Sequence, residues 1–278
     1  MTQAQRYAVL GHPVHHSQSP WIHQQFARQT EQLMHYEAIE LPLDGFVQGL
    51  QHLHAQGLQG CNVTVPFKHQ AFAGVHHATS RATLAQACNT LWFEGSVLHG
   101  DNTDGEGLMR DLHAELPGAW PALRVLLVGA GGASAGVLGP LLEQGPKAVQ
   151  VVNRTPERAH HLCQRHTALA QQLGVSLSAG ALHEHAADFD VVINASASSL
   201  AAAEVPLQPH ALRPGALAVD LMYGSAALPF MQWAQRHHAT ARDGLGMLVQ
   251  QAALSFQRWR GVAPDVAPVL QQLRQRLA

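Results

Sequence analysis

At 278 residues the chain is about twice the usual single-domain length, so two domains of roughly 100–150 residues each are expected, with enough chain to bury a core without staples. Hydrophobic residues make up 46% and charged residues 13%, a balance that excludes an intrinsically disordered chain. The formal net charge of −2 offers no basic stripe to nucleic acid and no polybasic run to a membrane surface, so the expected partners are small molecules.

The chain opens on a polar stretch, and its first apolar run is too short for a signal h-region or a spanning helix; a cytoplasmic protein is expected. Residues Tyr7–Gly11 form that run and read as a buried strand stopped by Gly-His-Pro. A helix is predicted from Ser19-Pro20, with Ser19 as N-cap, Pro20 at the first helical position and Trp21, Ile22, Gln25 and Phe26 opening an amphipathic pattern. A strand over His35–Ile39, a helix over Leu43–Gln56 and a strand over Gly60–Val65 follow. This alternation argues for a mainly parallel sheet. After Leu98 come a turn and a helix, and the prolines at 117 and 121 mark the predicted domain boundary. A second α/β series then runs through a strand at Arg124–Gly129, a helix from about Ala133, a strand at Ala148–Asn153, a helix at Pro156–Leu173 and strands at Asp190–Asn194 and Ala216–Asp220. A last helix is predicted over Gly244–Gln257, packing back on the first domain. The expected fold is therefore α/β with a cleft between two domains: residues 1–105 plus 243–278 form a substrate domain, and 120–242 form a Rossmann-like dinucleotide-binding domain.

The chain holds 20 histidines and 3 cysteines. Pairs such as His15-His16, His76-His77, His160-His161 and His237-His238 are adjacent in sequence, so the two rings do not share a helix face and are poor chelators of one metal. His183 and His185 flank a glutamate without a third ligand nearby. No metal site is expected, and these histidines read as solvated surface. Cys61, Cys88 and Cys163 match neither a zinc knuckle nor a disulfide framework and read as reduced, buried thiols.

In Arg124–Gly136 the glycines Gly129, Gly131 and Gly132 stand directly after an apolar strand and before a helix rich in small residues, with Ala130 and Ala133 between and after them. In a dinucleotide fold the first glycine makes the tight turn, the second admits the pyrophosphate, and the helix N-terminus faces the negative charge. The third fingerprint position falls on Ser134. A plain αβ turn is the alternative. The following strand ends at Asn153-Arg154-Thr155, where an NAD enzyme would carry an acidic residue. A guanidinium there can bind a 2′-phosphate through two parallel hydrogen bonds, and Arg158, four residues on, adds a second cation. The cofactor expected is NADP, unless both arginines are ordinary surface charges.

Three segments of the first half concentrate small polar groups at strand ends: Gly11–Pro20, Asn62–Lys68 and Asn102-Thr103-Asp104. With Gly-Ala-Gly-Gly-Ala at 129–133, Asn153-Arg154-Thr155 and Asp243–Leu248, they lie in the order and spacing of the shikimate dehydrogenase family, which the chain resembles from end to end. The resemblance implies reversible NADPH-dependent reduction of 3-dehydroshikimate to shikimate. It assigns Lys68 and Asp104 as the catalytic pair and Asn89, with the same aspartate, as contacts of the ring hydroxyls. Ser17, Ser19 and Thr64 match positions that receive the substrate carboxylate, Tyr223 and Gln251 match further substrate positions, and Leu221 and Gly244 match those bordering the nicotinamide.

The chemistry of the residues agrees with that assignment. Hydride transfer to a ketone develops alkoxide charge, which a positioned acid must neutralise, and an ammonium in a partly desolvated site can exchange that proton. Hydroxyls can donate to a carboxylate without fixing a full charge beside it. Taken alone, Lys68 would read as a solvated loop residue and Ser19 as a helix cap. The chain departs from the family at Asn194-Ala195-Ser196-Ala197-Ser198-Ser199, where a glycine is usual, at Ser80, where an acidic residue is common, and after Tyr223. A quinate or dual-specificity enzyme and a non-catalytic dinucleotide sensor remain as alternatives. Assembly is left open, a homodimer being the one oligomer entertained.

Overall fold

The computed structural model describes residues 4–113, 115–116, 118–196 and 207–277. Positions 197–199 of the departing segment lie outside the described residues. The chain divides into two compact units, Met1–Gly107 with Val249–Arg276, and Leu108–Leu248.

The first unit runs β1 (Gln5–Gly11), α1 (Ser19–Gln29), β2 (Met34–Glu40), α2 (Phe46–Ala55), β3 (Leu58–Val63), α3 (Lys68–Gly74), β4 (His77–Ala78), α4 (Ser80–Ala85), β5 (Thr90–Glu94) and β6 (Val97–Asp101). The next helix, α5 (Asp104–Leu112), carries the chain into the second unit. Strand order is β2-β1-β3-β5-β6-β4. Strands β2, β1 and β3 are parallel to one another, whereas β5 is antiparallel to both β3 and β6. The predicted sheet lacked that hairpin, although Gly95-Ser96 between two short apolar runs is a two-residue hairpin signal. Leu10, Phe46, Leu58, Phe67 and Leu91 are buried in one core cluster, each contributing roughly 1.5–3 kcal/mol by leaving water.

Two helix boundaries differ from expectation. Helix α2 starts three residues late, because Gly45 N donates to the Pro42 carbonyl (2.9 Å) and closes a turn first. The cap of α1 is Gln18 rather than Ser19, which already lies inside the helix, and no side chain caps the end. The hydroxyl that meets this turn is that of Ser17, which accepts from Ser19 N at 3.3 Å.

The second unit comprises β7 (Arg124–Val128), α6 (Gly132–Glu143), β8 (Ala148–Asn153), α7 (Pro156–Gln172), β9 (Ser176–Ala181), β10 (Phe189–Asn194), β11 (Leu212–Asp220), α8 (Leu228–Arg236) and β12 (Thr240–Arg242). Its sheet is wholly parallel, in the order β12-β11-β10-β7-β8-β9. Counted within the unit this is 3-2-1-4-5-6 read from β9, the doubly wound order, whose direction reverses between β7 and β10. Helix α9 (Leu245–Arg260) returns the chain to the first unit, where α10 (Val266–Leu277) closes it.

Among the described residues no helix is long and apolar enough to cross a membrane, and no group of three His, Cys, Asp or Glu is arranged to hold a metal ion. His15, His16, His76, His77, His160 and His161 are exposed. His23, His166 and His185 are instead buried, which corrects the solvated reading for His185. All three cysteines are free and buried; burial pushes the Cys61 thiol well up and those of Cys88 and Cys163 up to about 12.

Candidate active site

Helix α3 begins at Lys68, directly after the Thr64–Phe67 turn in which Phe67 N donates to the Thr64 carbonyl (3.0 Å). Phe67 is buried, and this anchors the residue that precedes the lysine. Lys68 Nζ lies 2.5 Å from Asp104 Oδ2, with 17% of the lysine side chain and 7% of the aspartate exposed. The other carboxylate oxygen, Oδ1, accepts from Asn89 Nδ2 at 2.8 Å. Asp104 is thus fixed at both oxygens and is set to hold the ammonium in one place.

Asn89 is the hub of a buried polar network. Its amide nitrogen also donates to Thr103 Oγ1 (2.9 Å) and to Gln251 Oε1 on α9 (3.2 Å), while its Oδ1 accepts from Thr103 N (2.8 Å) and Thr90 Oγ1 (2.9 Å). Asn62 Nδ2 donates to the Asn89 carbonyl (3.1 Å) and to Ser255 Oγ (2.9 Å). Full pairing matters here, since a buried polar group left without a partner costs about 1–3 kcal/mol. Of the predicted residues, Lys68, Asp104, Asn89 and Gln251 are therefore linked by direct contacts. Ser17 and Ser19 meet each other at the start of α1, and Thr64 follows β3, whose parallel neighbour β1 leads to Ser17. Tyr223 belongs to the second unit, beside the β11 end.

Asn62, Thr90, Thr103 and Ser255 were not singled out as functional from the sequence. Asn62 and Thr103 stand inside the polar segments and Ser255 is one helical turn beyond Gln251, so position offered a signal that residue type did not.

In the second unit the glycine turn sits at the switch point of the sheet. Gly129 has φ 109°, a left-handed conformation that disfavours any side chain. A Cβ there would also stand 3.0 Å from the Ala195 carbonyl oxygen at the end of β10. Gly131, the residue before α6, has nothing within 4 Å of where a Cβ would be. Backbone and helix N-terminus are left open to an anionic group. Ala130 and Ala133 keep the turn and the first helical turn uncluttered. Arg154, Thr155 and Arg158 are exposed beyond β8, and Asn153 Nδ2 donates to the Thr155 carbonyl (2.9 Å), bracing the turn that carries Arg154. These residues fit a dinucleotide with a 2′-phosphate: glycine backbone for the pyrophosphate and two guanidinium groups for the extra charge.

At the far side of the switch point, Asn194 Nδ2 donates to Asp220 Oδ2 (3.0 Å), and Ser196 donates through both N (3.2 Å) and Oγ (2.7 Å) to Asn194 Oδ1. Ser196 thereby secures the described part of the departing segment through its hydroxyl. Gly244 N donates to the Met222 carbonyl (2.8 Å), next to Leu221.

Family models match most of the chain: shikimate dehydrogenase substrate binding domain over residues 9–91, shikimate / quinate 5-dehydrogenase over 112–221, and shikimate 5'-dehydrogenase C-terminal domain over 244–274. A shikimate dehydrogenase (NADP(+)) of Acidovorax ebreus is 54% identical over 99% of this chain and 98% of its own. Among solved structures, an Ael1 enzyme from Pseudomonas putida has a TM-score of 0.86 at 40% identity, covering 97% of this chain and 98% of that one. Shikimate 5-dehydrogenase from Thermus thermophilus in complex with shikimate has a TM-score of 0.84 at 33% identity, covering 98% and 99%.

Proposed function

The chain belongs to the shikimate dehydrogenase family, and from that premise we propose how its residues perform the family's reaction. It is an NADP-dependent oxidoreductase that catalyses the reversible reduction of 3-dehydroshikimate to shikimate in aromatic amino acid biosynthesis. When bound, NADPH supplies the hydride. Lys68 supplies the proton that the forming alkoxide requires, and Asp104 holds the ammonium at the position from which it donates. In the oxidative direction Lys68 takes the proton from the shikimate hydroxyl. Asn89 fixes Asp104 and, with Gln251 and Tyr223, contacts ring hydroxyls. Ser17, Ser19 and Thr64 donate to the substrate carboxylate.

Residues 1–105 with 243–278 form the substrate domain in this reading, and 120–242 hold the cofactor. Gly129, Ala130, Gly131, Gly132 and Ala133 receive the pyrophosphate; Asn153, Arg154, Thr155 and Arg158 receive the 2′-phosphate end; Leu221 and Gly244 border the nicotinamide through their backbone. The proposed compartment is the cytoplasm.

The observation that carries the proton assignment is the 2.5 Å contact of Lys68 with an aspartate whose other oxygen is already engaged by Asn89. The test is NADP reduction by shikimate, followed by absorbance, for the wild type and Lys68→Ala. Turnover in the wild type and a loss of at least ~100-fold in the variant are expected. Nucleotide binding without turnover of the acid would favour a sensor, and near-wild-type turnover in Lys68→Ala would remove the proton assignment.

A further inference from the structure

Asp101 is 1% exposed and lies three residues before Asp104. Its carboxylate accepts from Arg81 Nε (2.8 Å) and Nη2 (2.7 Å), from Thr79 Oγ1 (2.6 Å) and from the backbone N–H of Asn102 (2.7 Å). Burial alone would raise this acid, but Arg81, Thr79 and the Asn102 amide together hold it below the usual carboxylate range. Arg81 is on α4, which begins one residue after Thr79, whose own side chain caps the helix. The two-point geometry of the guanidinium fixes direction as well as distance, which a lysine could not do.

This ion pair bears on the reacting groups by two short routes. The Asp101 carbonyl accepts from Asn89 N (3.0 Å), and the Asn89 side chain then engages Asp104 Oδ1. In the other direction, Asp101 holds Asn102 N, and Asn102 Oδ1 accepts from Asp104 N (3.2 Å) while its Nδ2 donates to the Ala87 carbonyl (2.9 Å). The backbone of Asp104 is therefore referred through Asn102 to the Asp101 carboxylate, and its side chain through Asn89 to the Asp101 main-chain carbonyl.

We propose that Arg81, acting through Asp101, is a positioning residue for proton exchange: it orients Asn89 and Asp104 so that Asp104 presents Lys68 to the substrate. The inference rests on the assignment of Lys68 and Asp104 as the proton-exchanging pair. Arg81 engages the Asp101 carboxylate at two points, so its effect on Lys68 and Asp104 is on alignment, and alignment errors of about 1 Å can cost on the order of 100-fold in rate.

The experiment compares wild type, Arg81→Met, Arg81→Lys, the double variant Arg81→Met/Asp101→Asn and Lys68→Ala, with kcat, KM for shikimate, the pH profile of kcat, and NADP affinity by fluorescence. The double variant removes the orphaned buried charge and covers the case in which Arg81→Met does not fold. Expected is a fall of about 10- to 100-fold in kcat for Arg81→Met or the double variant. KM and NADP affinity should stay within about threefold and the pH profile should move, with a smaller loss in Arg81→Lys. Turnover within twofold of wild type in the folded variants overturns the inference. So does a fall in kcat matched by loss of NADP-binding protein with an unmoved pH profile, which marks a merely structural pair. If Lys68→Ala itself keeps its turnover, the proton assignment has failed, and that failure is visible independently of Arg81.

Discussion

Gly244 lies against Leu221 so closely that a Cβ on the glycine would stand 2.6 Å from the Leu221 carbonyl carbon. Backbone cannot yield as the tip of a side chain can, so Gly244→Ala forces β11 and the start of α9 apart. A loss of about 1–3 kcal/mol in stability is expected from such overpacking. If Leu221 and Gly244 border the nicotinamide, NADP affinity should fall as well, at least about tenfold. Thermal unfolding and a fluorescence titration measure the two effects separately, and an unchanged melting temperature would contradict the close packing.

Lys68 and Asp104 should behave as one unit. Asp104→Asn keeps an oxygen for Asn89 but can turn an NH2 group toward the ammonium, so kcat should fall by about 100-fold or more with the fold intact. The double variant Lys68→Ala/Asp104→Asn should be little worse than either single one, because groups acting together are not additive. Steady-state rates on the three proteins test this; additive losses would separate the roles of the two residues.

Arg154 faces solvent at the end of β8, where its removal should spare the core. For Arg154→Ala the loss of charge-assisted hydrogen bonds is expected to cost roughly 1.5–3 kcal/mol of NADP binding. That corresponds to about a 10- to 150-fold rise in KM for NADP, with NAD changing far less. Arg158→Ala should show the same trend. Rates with both nucleotides on shikimate and on quinate check the assignment and settle the acid preferred; equal losses with NAD and NADP would count against the 2′-phosphate role.

Stability should fall on acidification, and His23 is one reason. It is fully buried, stacked on Tyr36 with ring centroids 4.1 Å apart and close to Trp259. Burial lowers its pKa from 6.5 to about 3, opposed only by the nearby Asn62. His166, also buried, is lowered to about 4. The unfolded chain therefore takes up these protons first as pH falls, so the stabilisation is complete above about pH 6.5 and disappears through the window down to about pH 3. For His23 alone this amounts to about 2 kcal/mol at pH 5. Asp101, with its lowered pKa, acts in the same direction at still lower pH. Urea unfolding at about pH 7.5 and about pH 5 should show a smaller difference for His23→Phe than for wild type; an equal difference would exclude His23 as a source.

The parallel buried strands were legible where each is a short apolar run closed by a polar or glycine turn, as at Tyr7–Gly11 and Arg124–Gly129, whereas the antiparallel β5–β6 hairpin was not predicted. The edge strand β12 spans only Thr240–Arg242, too short to carry a period. Strand β9 reads SLSAGA, with side chains too small to mark it. At the candidate site, Lys68 and Asp104, which meet at 2.5 Å, both stand inside dense polar segments that mark them in the sequence. The Arg81–Asp101 pair could not, since it joins positions 20 apart on different elements, and Asn62 meets Ser255 across 193 residues. Spacing along a chain does not encode partners that only a sheet brings together.

The place where Gly107 meets α9 bears on how such a chain can be assembled. A Cβ on Gly107 would stand 2.7 Å from the backbone nitrogen of Gln251, so the polypeptide departs for the second unit and comes back from it at neighbouring rungs of two touching helices. Everything between is, in genetic terms, a cassette with adjoining ends, the arrangement under which whole modules are gained or exchanged without retuning their host.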